Sequence, residues 1–384
     1  MTRQGFSDGE RATQSRQKLM QLAASMEDVI SLGGGDPDLH TPPHIVREAV
    51  RLMTCGRVSS PPAGLPGLRA ALAGHYRKQK GVDFDPESEI LITNGAQEAL
   101  FLTMMALVNP GDGVLMPDPR YSSYDQAIEA AGGTIVELAT GENHRFELQP
   151  AELQSKVRQG KVLILVNPSN PTGALVPAED VKRIAEVARG EGLLVVSDEV
   201  YEALTFDDVP CLSMVQCEGM RAQTVTLSSF SKTYAMTGFR VGYLIGPPPF
   251  IDAATRLKTI TSGPCPTFSQ YAALAALTGP QESARAIRAT FAGRRGVMMR
   301  SLDALGIPYG HPGGTFFFWA DISRFGMAAE EFCHRLLTDA RVLFFPGTAF
   351  GAKWSGYVRI SILQNKDRIA EAMRRVSGFI EKIS

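Results

Sequence analysis

The sequence predicts an α/β fold whose larger part is a mostly parallel sheet covered by helices on both faces. Between about residues 89 and 246, short apolar runs alternate with stretches of helical periodicity, a pattern typical of parallel sheets. The run Val162–Val166 is apolar throughout and partly β-branched, as expected of a strand buried on both faces. The last third of the chain changes character and predicts a smaller α+β unit, joined to the larger part by the N-terminal segment.

Seven strands are predicted in the larger part, at residues 90–93, 113–116, 134–138, 162–166, 193–196, 224–227 and 241–245. Helices are predicted after the first, second and fourth of them, at residues 96–108, around 127–131 and at 180–188. The C-terminal part is expected to contain helices at 283–305, 328–337 and 366–383, and strands at 342–345 and 357–361. We therefore expect residues 1–45 to form an N-terminal arm and a small-domain segment, 46–280 the large domain and 281–384 the small domain.

The composition is that of a globular protein long enough for two domains, with 384 residues, 44% of them hydrophobic and 21% charged. A formal net charge of -1 gives no electrostatic reason to expect nucleic acid or an anionic membrane as a partner. No apolar run reaches the roughly 20 residues of a membrane span, and the first ten residues lack the apolar core of a secretory signal. The five scattered cysteines suggest no metal site, so a cytoplasmic enzyme without a metal is expected.

Polar residues follow several predicted strands, at the edge of a parallel sheet where ligands usually bind. Residues 94–97, Asn-Gly-Ala-Gln, open a helix, and a helix N-terminus attracts phosphate. The rigid turn at residues 167–173 can aim an amide at a ligand. Asp198 ends a buried strand, where a carboxylate is costly unless a cation such as a protonated ring nitrogen pairs with it. A helix N-cap is the alternative role for Asp198, and Tyr201 could donate to a phenolic oxygen.

Lys232 is the most informative residue of the chain, because it follows an apolar strand and small hydroxyl residues and precedes Arg240 by eight positions. Its amine could form a Schiff base with an aldehyde cofactor if burial or cationic neighbours lower its pKa from about 10.4. The hydroxyls and Arg240 could hold the cofactor's phosphate, whereas an isolated lysine would more often be a solvated loop residue. With the residues at the strand ends, Lys232 indicates pyridoxal 5′-phosphate, which needs all of these groups.

Three motifs follow one another along the chain: Asn-Pro-Ser-Asn-Pro-Thr-Gly at 167–173, Ser-Asp-Glu-Val-Tyr at 197–201, and Ser-x-Ser-Lys at 229–232 with the following arginine. In this order they resemble the motifs of the class I and II aminotransferases of fold type I, and the resemblance extends from about residue 30 to the C-terminus. The resemblance implies an enzyme that uses pyridoxal 5′-phosphate to move an amino group from an L-amino acid to a 2-oxo acid. It also implies a homodimer with both active sites at the interface.

The resemblance further implies a role for each matching residue on the cofactor side. Lys232 would form the Schiff base and move a proton to and from the substrate Cα, while Asp198 would pair with the pyridine nitrogen. Asn170 and Tyr201 would bind the phenolic oxygen, and Tyr121 would stack on the ring. The positions that match the family's phosphate-binding residues are Gly95, Ala96, Gln97, Ser229 and Arg240.

On the substrate side, Arg359 matches the arginine that grips the α-carboxylate as a bidentate pair, and Gly35 and Asn170 match positions beside the substrate. Ser59 stands where the family usually has a tyrosine that reaches the phosphate of the neighbouring subunit. A serine hydroxyl is too short for that contact, so Ser59 is not expected to bind the cofactor. Aromatic residues near the small-domain side lead to the hypothesis that the pocket prefers apolar or aromatic side chains. Most of them should nevertheless be core residues.

Two other classes of function stay open at this point. A C–S β-lyase, a racemase or a carboxylate-removing synthase on the same scaffold would share Lys232, Asp198 and Arg240. An aminotransferase-like effector domain of a transcription regulator would need a DNA-binding module, commonly of about 60 residues or more. Only about 30 residues precede the resemblance and the chain is not basic, which makes this class the less expected one.

Overall fold

The structure is a computed structural model that describes residues 8–56 and 59–383. Residues 1–7 of the expected N-terminal arm and Val58, next to Ser59, lie outside the described residues. The described strands are β1 (Ile30–Ser31), β2 (Ile90–Thr93), β3 (Gly113–Asp118), β4 (Thr134–Ala139), β5 (Val162–Val166), β6 (Leu194–Asp198), β7 (Thr224–Ser229), β8 (Gly242–Ile245), β9 (Phe317–Asp321), β10 (Val342–Leu343), β11 (Phe345–Pro346) and β12 (Tyr357–Ser361).

The described α-helices cover the sheets and fill most of the connections between strands. They are α1 (Asp8–Ala24), α2 (Pro43–Thr54), α3 (Pro66–Lys80), α4 (Ala96–Leu107), α5 (Ser123–Ala130), α6 (Pro150–Lys156), α7 (Ala178–Gly190), α8 (Phe230–Thr233), α9 (Pro248–Thr261), α10 (Thr267–Thr278), α11 (Glu282–Leu305), α12 (Ala329–Ala340) and α13 (Lys366–Ile383). The sequence did not predict helices α2, α3, α6, α8, α9 and α10, while α11, α12 and α13 agree with their predictions to within three residues.

A seven-stranded sheet with the order β2-β8-β7-β6-β5-β3-β4 forms the centre of the larger part. Strand β8 runs opposite to the other six strands, which share one direction, so the predicted mostly parallel sheet is confirmed. Residues of β5 alternate between two separate hydrophobic clusters, with Val162 and Ile164 in one and Leu163 and Leu165 in the other. This alternation explains the apolar run, because both faces of the strand are covered.

The C-terminal part contains an antiparallel sheet in the order β11-β12-β9, and a parallel pair of β1 with β10 ties the N-terminal segment to it. The single strand predicted at residues 342–345 is wrong in one respect, because this stretch divides between two sheets. Val342 pairs with Ile30, whereas Phe345 pairs with Arg359. Local sequence could not reveal the division, since both partners lie far away along the chain.

The part of the chain that the structure describes contains no helix long and apolar enough to cross a membrane. Across the same residues, no group of three or more His, Cys, Asp or Glu side chains is arranged to hold a metal ion.

Candidate active site

A cavity of about 540 Å³ lies where β5, β6 and β7 end, and all predicted site residues except Gly95 line it. The residues brought together are Gly35, Ala96, Gln97, Tyr121, Asn170, Asp198, Tyr201, Ser229, Lys232, Arg240 and Arg359. Gly95 lies beside them as the residue that precedes α4. Ser59 is exposed and does not line the cavity of its own chain.

Lys232 lies on the short helix α8, directly after β7. Ser229 caps this helix by accepting a hydrogen bond from the backbone N–H of Ser231 at 3.1 Å. The Lys232 Nζ donates to the carbonyl oxygen of Gly35 at 2.7 Å and to Oδ1 of Asp36 at 3.1 Å. Burial lowers the pKa of Lys232, although Asp36 acts in the opposite direction. The amine is therefore closer to its neutral, nucleophilic form than an exposed lysine would be.

Asp198 is the last residue of β6, and its carboxylate is buried at the cavity wall. The Tyr124 hydroxyl donates to Oδ2, and the backbone N–H of Val200 donates to Oδ1 at 3.0 Å. Among the side chains that the structure describes, no lysine or arginine pairs with Asp198, and burial raises its pKa to about 6. A turn rather than a helix follows it, so the helix N-cap role does not apply. The carboxylate fits a protonated ring nitrogen, which would supply the missing positive charge.

Tyr201 and Asn170 face the cavity from the loops after β6 and β5. The Tyr201 ring packs edge-on against Phe316 and Phe317, with centroids 5.5 and 6.0 Å apart. Burial raises the pKa of Tyr201, so its hydroxyl stays protonated and can donate. Asn170 accepts a hydrogen bond through Oδ1 from the Arg359 Nη1 at 3.0 Å, which leaves its amide nitrogen available as a donor.

The N-terminus of α4 and the Arg240 guanidinium meet at one end of the cavity. Gly95 has φ +80°, and a Cβ at this position would lie 2.5 Å from Nη2 of Arg240. A Cβ on Gly242 would meet the backbone nitrogen of Ala96 at 2.9 Å, so this strand must carry glycine beside the helix. The Arg240 guanidinium donates only to backbone carbonyls of Thr237 and Asn94 among the described residues. Free helix N–H groups and an uncompensated cation fit a phosphate.

A buried ion pair holds the start of α4 in place. Glu98 accepts a hydrogen bond from the backbone N–H of Asn94 at 2.6 Å and pairs with the Lys258 Nζ at 2.7 Å. The Lys258 side chain is fully buried, and Ser262 also donates to Glu98. Because Asn94 in turn accepts from Arg240 at 3.4 Å, this network fixes the helix terminus relative to the guanidinium.

Arg359 lies on β12 and is buried with its guanidinium carbon 4.1 Å from the ring centroid of Phe317. Nη2 donates to the carbonyl oxygen of Gly33 at 2.7 Å, whereas Nε has no partner among the described residues. Burial lowers the pKa of Arg359 to about 9, and repulsion from Arg16 contributes to the shift. A buried guanidinium without a carboxylate partner is suited to bind one from a ligand.

The cavity residues that were not predicted from the sequence include three with ionisable or hydroxyl groups: Arg16, Asp36 and Tyr124. Tyr124 lies three residues after Tyr121 on the next helix, so its place near the site could have been inferred from the Pro-Arg-Tyr-Ser-Ser-Tyr run. Asp36 directly follows Gly35, a predicted site residue that also lines the cavity. Arg16 carried no local signal, because only the packing of α1 against the rest of the protein brings it there.

Comparisons with known proteins identify the family of this chain. The family model for aminotransferase class I and II matches residues 27–376. The chain is 38% identical to an aspartate aminotransferase of Pyrococcus abyssi and 36% identical to aromatic-amino-acid aminotransferase 2 of Thermococcus litoralis, each over 95% of both chains. The crystal structure of an aromatic aminotransferase from Pyrococcus horikoshii superposes with a TM-score of 0.90 at 35% identity, covering 95% of this chain and 98% of the other. The chain therefore belongs to the class I and II aminotransferases, the fold type I enzymes that use pyridoxal 5′-phosphate.

Proposed function

We propose that this aminotransferase moves an amino group from an L-amino acid to a 2-oxo acid, with Lys232 as its reactive amine. The observation that carries the proposal is that one cavity contains both a buried amine and a buried carboxylate that has no cation beside it among the described residues. Lys232 has a lowered pKa, and the isolated Asp198 carboxylate lies in the same cavity. Bound pyridoxal 5′-phosphate supplies an electron-withdrawing ring that stabilises the charge left when the Cα–H bond of an amino acid breaks. The residues present fit this cofactor at its ring nitrogen, phenolic oxygen and phosphate.

On this proposal, two residues control protons. Lys232 accepts the proton from the substrate Cα through Nζ once its amine is free, and burial favours the neutral form that can do so. Asp198 keeps a proton on the ring nitrogen, because two buried and oppositely charged groups stabilise each other. Tyr201 donates a hydrogen bond to the phenolic oxygen and keeps its proton, because burial raises the pKa of its hydroxyl.

Other residues orient the ligands. Gly95, Ala96, Gln97, Ser229 and Arg240 bind the phosphate, and Tyr121 covers the ring. Arg359 binds the α-carboxylate, with Gly35 and Asn170 alongside. Asn170 holds the Arg359 guanidinium through its 3.0 Å hydrogen bond, so the amide links the cofactor side of the cavity to the substrate side. A fixed α-carboxylate determines which Cα bond stands perpendicular to the ring and therefore which bond breaks.

We further propose a homodimer with the active sites at its interface, and a cytoplasmic location. Helices α2, α4 and α9 carry exposed large apolar side chains that a partner subunit would cover: Val46, Val50, Met53, Phe101, Met105 and Ile260. The five cysteines are unpaired, which suits a reducing compartment. The division into residues 1–45, 46–280 and 281–384 remains our proposal for the domains, supported by the separate sheets of the larger and C-terminal parts.

A half-reaction tests the proposal. The purified protein loaded with pyridoxal 5′-phosphate is mixed with single L-amino acids while its visible spectrum is followed and the products are identified by mass spectrometry. We expect the spectrum to change to that of the aminated cofactor, with one 2-oxo acid formed per site. Catalytic formation of pyruvate and ammonia, or a change of configuration alone, would instead assign the protein to the lyase or racemase alternative.

A matched pair of lysine variants tests the assignment of the reactive amine. Lys232→Ala should fold and dimerise but lose the visible band of the lysine-bound cofactor and the half-reaction. Lys182→Ala removes an exposed lysine of α7 and should retain both. If Lys232→Ala kept the band and the reaction, another amine would have to be the reactive one.

A further inference from the structure

Arg16 is a second guanidinium of the cavity, supplied by the N-terminal helix α1. Its Nη2 donates to Oγ of Ser122 at 2.7 Å, and its guanidinium carbon lies 5.2 Å from the ring centroid of Tyr121. These contacts hold the half-buried side chain against the wall of the cavity that it lines. None of the roles proposed for transamination uses it.

The charge of Arg16 has no counter-ion in the part of the chain that the structure describes. Its contacts there are a hydroxyl and aromatic rings, and no carboxylate pairs with it. Burial lowers the pKa of Arg16, and no carboxylate among the described side chains offsets the desolvation of the cation. A partly buried cation of this kind is suited to bind an anion from a ligand.

Arg16 and Arg359 face the same space. Their guanidinium carbons lie 5.7 and 4.6 Å from the ring centroid of Phe350. The two positive charges repel each other, and no carboxylate partner among the described residues offsets that repulsion. An amino acid held through its α-carboxylate by Arg359 would have its side chain in the cavity that Arg16 lines. A second carboxylate on that side chain would neutralise Arg16 and remove the repulsion between the two cations.

We propose that Arg16 determines specificity for acidic substrates, by binding the side-chain carboxylate of L-aspartate or L-glutamate and of the corresponding 2-oxo diacids. The inference rests on the proposed role of Arg359 as the α-carboxylate site. It replaces the apolar or aromatic preference predicted from the sequence. The aromatic residues behind that hypothesis, Phe316–Trp319, Phe344, Phe345 and Phe350, are all buried, and of these only Phe317 and Phe345 line the cavity.

Binding of unreactive acids separates this proposal from the catalytic one. Succinate carries two carboxylates, whereas butyrate has the same number of carbons and one carboxylate. Calorimetry on the protein loaded with cofactor should show that Arg16→Gln weakens succinate binding about 10- to 100-fold, the usual effect of losing a hydrogen bond to a charged group. Butyrate binding should change less than threefold. Arg16→Lys, which retains the charge, should keep most of the preference for succinate.

Steady-state kinetics gives the second measurement. The wild-type protein should prefer glutamate to glutamine and aspartate to asparagine in kcat/KM, and Arg16→Gln should reduce both preferences about 10- to 100-fold. Lys18→Gln, which removes an exposed charge from the same helix, should leave them unchanged. Equal losses for succinate and butyrate, or a wild-type preference for uncharged amino acids, would overturn the proposal. Failure of every amino acid to react would instead refute the proposed transamination, while the binding measurement would still report on Arg16.

Discussion

Replacing Asp198 with asparagine should have opposite effects on stability and on activity. The substitution keeps the shape of the side chain. Its amide oxygen can still accept from the Val200 N–H, and the Tyr124 hydroxyl can rotate to accept from the amide NH2 instead of donating. It removes a buried negative charge that has no cation beside it among the described residues. The cofactor-free protein should therefore gain stability at neutral pH, while the loaded enzyme loses the partner of its ring nitrogen.

The pKa shift sets the size of the stability effect. Burial raises the pKa of Asp198 from 3.8 to about 6, and at 1.36 kcal/mol per unit the ionised carboxylate costs about 3 kcal/mol in the folded protein. The pKa of Asp198 is higher in the folded protein than in the unfolded chain. The cost is therefore small below about pH 4, develops between about pH 4 and 6, and is complete above about pH 7. The gain in free energy of unfolding from Asp198→Asn should accordingly be about 3 kcal/mol at pH 8 and roughly half of that at pH 5.

Urea unfolding of the cofactor-free wild type and variant between pH 5 and 8 measures this difference. In the loaded enzyme, loss of a buried charge pair worth about 3–5 kcal/mol should lower kcat by roughly 10²- to 10⁴-fold. An Asp198→Asn protein that is less stable than the wild type across this pH range would refute the reasoning about burial. A rate within tenfold of the wild type would refute the ion pair with the ring nitrogen.

Three further substitutions test the phosphate site, the carboxylate site and the ion pair under α4. Gly95→Ala should weaken cofactor binding at least about tenfold in a fluorescence titration, because its Cβ displaces the Arg240 guanidinium, and unchanged affinity would contradict this. Arg359→Lys should lower kcat/KM for amino acids about 10- to 100-fold with little change in cofactor affinity, since a lysine cannot form the bidentate pair. Lys258→Met should cost about 3–5 kcal/mol in urea unfolding, and adding Glu98→Gln should recover part of it; equal stability of both variants would count against the pair.

Much of the candidate site could be predicted because its residues lie next to strands. In a parallel sheet the strand ends meet at one edge. Asp198 ends β6 and Lys232 follows the neighbouring strand β7, so the two residues were expected at the same edge. The alternation of apolar runs similarly indicated the seven strands and their mostly parallel arrangement. These features depend on local order along the chain, which the sequence displays directly.

The sequence by itself therefore determined the fold class, the cofactor and the residues expected to bind it. Tertiary structure alone decided what depends on contacts between distant segments. It divided residues 342–345 between two sheets, brought the Tyr124 hydroxyl to Asp198 and placed Arg16 in the same cavity as Arg359. The physical reason is that the sequence of helix α1 shows its helical periodicity but does not show which surface of the protein the helix packs against. The position of its arginine follows from how the helix packs on the rest of the protein.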